Sequence, residues 1–186
     1  MRPQKVLDTD LIIGLTKVFR AKGYEGTSLN EISEVIGLKK ASLYHRFPKG
    51  KKEMAERVFD HIDNWVEGHI FFALTDENTR PRQRLANGLA HIRTLYNEGT
   101  ETCVFRAFSM QTGLELFEKQ VNNGMISWIN AFTQIGLALN LPSLKAKEKA
   151  VQTLIEIQGS LIVTKGLNDT TIFDNTIKAI EKRYLE

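Results

Sequence analysis

The sequence predicts an all-α fold, with an N-terminal helix-turn-helix domain of three helices followed by six further helices. Three observations carry this. Apolar residues recur at spacings of three and four nearly from end to end, while the period-two alternation of half-buried strands is scarce. Glycine, proline or a polar cluster stands wherever that periodicity lapses. Residues 28 to 47 read as two short helices joined by a glycine turn.

The first helix is predicted over residues 5 to 22, where Leu7, Leu11, Leu15, Val18 and Phe19 form one stripe and Gly23 supplies the stop. Ser28 caps the second, 28 to 36, with Glu31 at the reciprocal position of a capping box. Leu29, Ile32 and Ile36 share its inner face, and Asn30, Glu31 and Glu34 its wet one. Gly37 provides the left-handed conformation that ends it, and Leu38 turns back toward the core. The third, 40 to 47, points Leu43 and Phe47 inward and leaves Lys39, Lys40, Ser42, Tyr44, His45 and Arg46 outward, until Pro48 stops it.

A long fourth helix runs from Lys51 to Leu74, with Met54, Val58, Phe59, Ile62, Trp65, Val66 and Phe72 on a broad apolar surface. Pro81 opens the fifth, which reaches Asn97 before Gly99 and Thr100 break it. The sixth, 102 to 111, carries Val104, Phe105, Phe108 and Met110. The seventh, 114 to 140, carries Leu116, Val121, Met125, Trp128, Ile129, Phe132 and Ile135. After Pro142 the eighth, 143 to 166, opens with charge and turns apolar at Val151, Leu154, Ile155, Ile157, Leu161 and Ile162. The ninth, 170 to 184, shows Ile172, Phe173, Ile177 and Ile180.

The 186 residues are 42% hydrophobic, enough for a proper core, and the net charge is only +3. Its distribution is uneven. Residues 1 to 60 carry 12 Lys and Arg against 8 Asp and Glu, and the remainder carries 13 against 14. The excess cations, Lys39, Lys40, Arg46, Lys49, Lys51, Lys52 and Arg57, gather in the N-terminal third, which is where a polyanion would be met. A single cysteine, Cys103, excludes an intramolecular disulfide, and with no apolar leader segment a cytoplasmic protein is expected. No uninterrupted apolar run approaches the ~18 residues of a membrane span, so no membrane partner is expected.

Lys39 and Lys40 stand at a helix N-terminus, where the macrodipole disfavours cations. A bound anion resolves the conflict, and DNA phosphates supply one to a helix that enters the major groove by its N-terminal residues. A solvated basic face on an ordinary helical hairpin is the other reading of the same residues.

The pattern Phe19, Gly23-Tyr24, Thr27-Ser28, Ile32, Gly37-Leu38, Ser42-Leu43-Tyr44, His45, Phe47-Pro48 and Lys52-Glu53 resembles the TetR family of transcriptional repressors through some forty residues, in family spacing. The rest of the chain resembles the family in layout only. The resemblance implies an all-α homodimer divided into residues 1–50, which bind DNA, and residues 51–186, a six-helix ligand-binding and dimerisation domain. Carried over by position, Thr27, Ser28, Tyr44, Lys51 and Lys52 are expected at phosphates, and Lys39, Lys40, Ser42 and His45 face the groove. Two residues depart from the pattern. Lys39 stands where the family commonly has a Ser or Thr cap, which loosens the start of the third helix at a cost of about 1 kcal/mol. Ser33 replaces the usual alanine where the two helices cross.

The implied function is a repressor released from a palindromic double-stranded operator by a small-molecule effector. Candidate effector walls are Trp65, His69, Phe72, Phe105, Phe108, Met110, Met125, Trp128 and Phe132, whose composition suits an apolar or aromatic ligand; the same stripe also serves as plain core. For the homodimer, the eighth and ninth helices offer Leu154, Ile155, Gln158, Leu161, Ile162, Ile177 and Ile180 as a four-helix seam. The alternative is an effector-binding all-α protein without specific DNA binding.

An enzyme is not expected. His45, His61, His69 and His91 show no metal-ligand spacing with Cys103 or one another, and there is no glycine-rich phosphate loop or nucleophile elbow. Catalytic residues, metal and cofactor are each expected to be none.

Overall fold

The computed structural model describes residues 7–186; residues 5 and 6, where the sequence places the start of the first helix, lie outside them. Helix α1 (Asp8–Gly26) is broken in its last turn by Gly23 at φ 72°, ψ 179°. There follow α2 (Leu29–Ile36), α3 (Lys40–Arg46) and α4 (Lys51–Val66), then a π turn (Glu67–Phe71) leading directly into α5 (Phe72–Thr75). The chain continues through α6 (Pro81–Leu95), a 3-10 turn (Asn97–Gly99), α7 (Val104–Phe108), α8 (Gln111–Ala138), α9 (Ser143–Leu167) and α10 (Thr171–Leu185). No strand occurs among the described residues, and none of their helices is long and apolar enough to cross a membrane.

The chain forms two compact units. The first takes in the described chain through Asp63 together with Val104–Glu118, so it reaches well past residue 50. The reason is its core. Phe19 and Tyr24 of α1 meet Phe59 of α4, Phe108 of α7 and Phe117 of α8 in one aromatic cluster, with ring centroids between 4.6 Å (Phe59–Phe108) and 6.3 Å (Phe19–Tyr24) apart. Three short helices alone bury too little apolar surface to be stable, and Phe59, Phe108 and Phe117 supply the rest. Gly23 is required here by its positive φ and by the Ala107 carbonyl, which would lie 3.2 Å from any Cβ. Glu25 closes the packing by accepting a 2.7 Å hydrogen bond from the Gly113 N–H.

The second unit comprises Asn64–Cys103 and Lys119–Glu186. Its core is built from Phe132 and Ile135 of α8, Ile157 of α9, and Phe173, Ile177, Ile180 and Tyr184 of α10, all buried. The π turn matters for what faces inward. Phe72 N–H reaches back five residues to the Glu67 carbonyl, so one extra residue is accommodated and the helical register slips. Phe71 therefore turns in to meet Trp128 edge-on at 5.8 Å, and Phe72, expected on the apolar surface, is 65% exposed.

Candidate nucleic-acid interface

The helix-turn-helix is held by local bonds that follow from its sequence. Ser28 Oγ accepts the Glu31 N–H, and the Glu31 carboxylate accepts from the Ser28 N–H at 3.0 Å, a complete capping box. Glu31 also accepts from the Lys22 ammonium of α1. The Lys22 bond first, and then those from Ser28, hold its carboxyl down at about 2. At the other end of α2, Gly37 takes φ 72°, ψ 21°, and its N–H and that of Leu38 both return to the Ser33 carbonyl. The Ser33 hydroxyl donates across the turn to the Leu38 carbonyl, a bond that the usual alanine could not make.

Helix α3 begins at Lys39 with no side-chain cap and no acid in its first turn. Ile32 and Leu43 are wholly buried, and Phe47 nearly so, which fixes the rotation of α3. That rotation leaves Lys39, Lys40, Ser42, Tyr44 and His45 exposed together. Gly50, at φ 67°, lies close enough to the Tyr44 ring that an added Cβ would touch it. Arg46 turns back to Asp8 at 3.3 Å. Lys52 is exposed, with Glu56 3.9 Å away.

Two of the expected phosphate contacts are corrected. Thr27 is only 2% exposed, and its hydroxyl donates to the Gly23 carbonyl at 2.6 Å, so its side chain anchors the end of α1. Lys51 points inward: its ammonium donates to the carbonyls of Tyr24 (2.8 Å) and Thr27 (3.0 Å) and sits 4.3 Å from the Tyr24 ring centroid. Burial pushes this ammonium below the usual lysine range, against the pull of nearby Glu25. The sequence offered no signal for Lys51, whose contacts depend on how α4 packs on the end of α1, whereas Thr27 bonds within its own turn.

The expected effector walls divide between the units. Phe105 and Phe108 are core of the first unit, and Met110, also in the first unit, is exposed, as Phe72 is in the second. In the second unit Trp128 stacks on Phe132 at 6.3 Å, Phe132 packs on Tyr184, and Trp65 stacks on His69 at 4.4 Å. Met125 is half-buried. On the expected dimer seam, Leu154, Leu161, Ile177 and Ile180 are buried inside the protomer, because α9 and α10 pack on each other first. Ile155 (59%) and Ile162 (57%) remain exposed, joined on the outer side of α9 by Val151, Val163 and Leu167.

A capped helix, a glycine turn and an outward cationic helix held by two buried anchors define a helix-turn-helix motif. Residues 14–58 match the model of "Bacterial regulatory proteins, tetR family". YxaF, an HTH-type transcriptional regulator of Bacillus subtilis (strain 168), is 36% identical over 78 residues, which take in 42% of this chain and 38% of that protein. LmrA, an HTH-type transcriptional regulator of the same organism, is 21% identical over 165 residues, 87% of each chain. Among solved structures, a TetR transcriptional regulator from Legionella pneumophila shares the fold at a TM-score of 0.79 and 17% identity, over 97% of this chain and 99% of that one. CifR, solved as a cysteine mutant with double-strand operator DNA, shares it at 0.69 and 17%, over 100% and 98%. FadR from Bacillus subtilis, solved with stearoyl-CoA, shares it at 0.62 and 15%, over 92% and 96%. Residues 14–58 thus match the N-terminal domain of the TetR family of regulators, and the chain as a whole shares the fold of TetR-family structures.

Proposed function

We propose that this protein is a sequence-specific repressor that binds a palindromic DNA operator as a homodimer and leaves it when a small apolar or aromatic effector binds. The observation that carries the reading is the exposed row Lys39, Lys40, Ser42, Tyr44 and His45 on a short helix clamped by Leu43 and Phe47. Lys39 and Lys40 bring charge where the uncapped α3 presents free N–H groups, which suits phosphate oxygens or base edges. Ser28, Tyr44 and Lys52 flank them as backbone contacts. The operator complex of CifR and the stearoyl-CoA complex of FadR support DNA and an apolar effector as the two ligands.

The homodimer reading rests on α9. Its outer side carries Val151, Ile155, Ile162, Val163 and Leu167, with open space around Gly159 and Gly166. Beside them Gln158 Nε2 is buried without an acceptor among the described residues, which a facing helix would supply. Of the candidate effector walls, Trp65, His69, Phe72, Met125, Trp128 and Phe132 belong to the second unit, with His69 and Phe72 exposed.

Footprinting on the protein's own upstream region tests the reading. Two protected half-sites about 10 base pairs apart, related by a dyad, are expected. Equal affinity for all sequences, or a monomer in sedimentation at micromolar concentration, overturns it.

A further inference from the structure

We propose that His69 and His91 form a binding site for a divalent transition-metal ion of the imidazole-preferring group, Cu²⁺ most tightly, then Ni²⁺ and Zn²⁺. The site goes beyond the DNA reading and does not depend on it. Both residues belong to the second unit, His69 in the π turn and His91 on α6. They are 22 positions apart in sequence, which is why no ligand spacing is visible there, yet their rings lie 5.6 Å apart centroid to centroid with planes at 72°. Two imidazoles bound to one tetrahedral ion at Zn–N distances of about 2.0–2.1 Å place their centroids roughly 5 Å apart. The observed separation is within a small side-chain adjustment of that.

His69 is also prepared as a ligand. Its Nδ1 lies 2.8 Å from the Trp65 carbonyl oxygen, which can only accept, so Nδ1 carries the proton and Nε2 keeps its lone pair free. This is the arrangement by which metal-binding histidines are fixed, with the second ring nitrogen held by a backbone carbonyl. The Trp65 ring stacks on His69 at 4.4 Å, nearly parallel, and meets His91 edge-on at 6.3 Å, so the two imidazoles share one aromatic brace. His69 is exposed and His91 half-exposed, so an ion reaches them from solvent. The π turn that sets the register is itself a feature found preferentially at functional sites. Among the described residues no group of three or more His, Cys, Asp or Glu side chains converges, so water completes the coordination. Neutral nitrogen donors without a thiolate or carboxylate select the borderline ions, and the Irving–Williams order puts Cu²⁺ first.

Titrating the full-length protein with CuCl₂ while reading tryptophan fluorescence tests this. A saturable partial quench at one equivalent is expected, since Trp65 stacks on a ligand, and Cu²⁺ spectra should report two nitrogen donors. His69→Gln and His91→Gln should each weaken binding roughly 10- to 100-fold or more, and His45→Gln should leave it unchanged. Trp65→Phe keeps the carbonyl, so calorimetric affinity should persist while the quench is largely lost. In the parent protein, ZnCl₂ should shift the imidazole resonances of His69 and His91 alone, a readout that needs no variant to fold. Unsaturable binding up to millimolar metal, unchanged affinity in both histidine variants, or shifts at His45 or His61 instead would overturn the site.

Discussion

Helices α2 and α3 start eleven residues apart and are built on opposite plans. The start of α2 is closed: Ser28 and Glu31 satisfy each other's backbone donors, and Lys22 neutralises the acid. The start of α3 is open: Lys39 offers no cap, no acid stands in the first turn, and two ammonium groups face the positive end of the helix. The difference teaches that the pair divides two tasks. Helix α2 is stabilised within the chain, whereas α3 leaves its first N–H groups and positive charge open to solvent, where the proposed operator would meet them.

Breaking the open start should give the largest effect. Lys40→Glu should cost about 1–3 kcal/mol of operator binding at a base-reading position, and adding Lys39→Glu should abolish a measurable shift while thermal unfolding stays near that of the parent. A comparable loss of stability would show that the lysines serve the fold rather than the ligand.

The closed elements were legible in the sequence, and the open ones only as a pattern of exposure. Ser28, Glu31, Gly37, Leu43 and Phe47 follow rules that act within four residues, so spacing alone placed them. The resemblance places Lys51 and Thr27 at phosphates by position alone, without regard to what their side chains meet inside the chain. The inward turn of Lys51 depends on α4 crossing the end of α1, a tertiary fact, whereas Thr27 bonds to the Gly23 carbonyl four residues before it. Phe72 was misplaced for another reason: the π turn shifts the register by one residue, and no periodicity argument that assumes an unbroken helix detects it. Phe108 and Phe117 join the first unit from beyond residue 100, so the domain boundary could not be read from local composition.

The Lys51 and Lys52 pair sharpens the contrast one helix further on. Lys51→Met should destabilise the first unit by roughly 1–3 kcal/mol, the cost of leaving a buried polar group without its partner, because two carbonyls lose their donor. Lys52→Ala should leave the melting temperature unchanged and reduce the salt slope of DNA binding by about 0.9, one phosphate's worth. If Lys51→Met instead changes only the slope, its ammonium leaves the carbonyls for DNA.

Exchanging the two plans gives smaller effects of opposite sign. Ser28→Ala should destabilise by about 1 kcal/mol through loss of the cap, whereas Lys39→Ser should stabilise by up to about 1 kcal/mol by adding one. The stabilised variant should nevertheless bind the operator more weakly, a split that calorimetric unfolding and an anisotropy titration read separately. Lys39→Ser binding as tightly as the parent would mean that the open start carries no part of recognition.

Acid titration distinguishes the two starts most finely. Glu31 is held at about 2 in the folded protein against an ordinary value of 4.5, so its contribution is fully present above pH 4.5. It is lost as pH falls through 2, because the unfolded chain takes up the proton first. The carboxylate is exposed and its partners are screened, so the change is small and best read as a difference between proteins. Glu31→Gln should flatten the stability profile between pH 4.5 and 2 relative to the parent. Lys39→Ser should run parallel to the parent throughout, since the first turn of α3 has no acid to titrate. Parallel profiles for the parent and Glu31→Gln would show that the capping box, although formed, does not hold α2 through its charge.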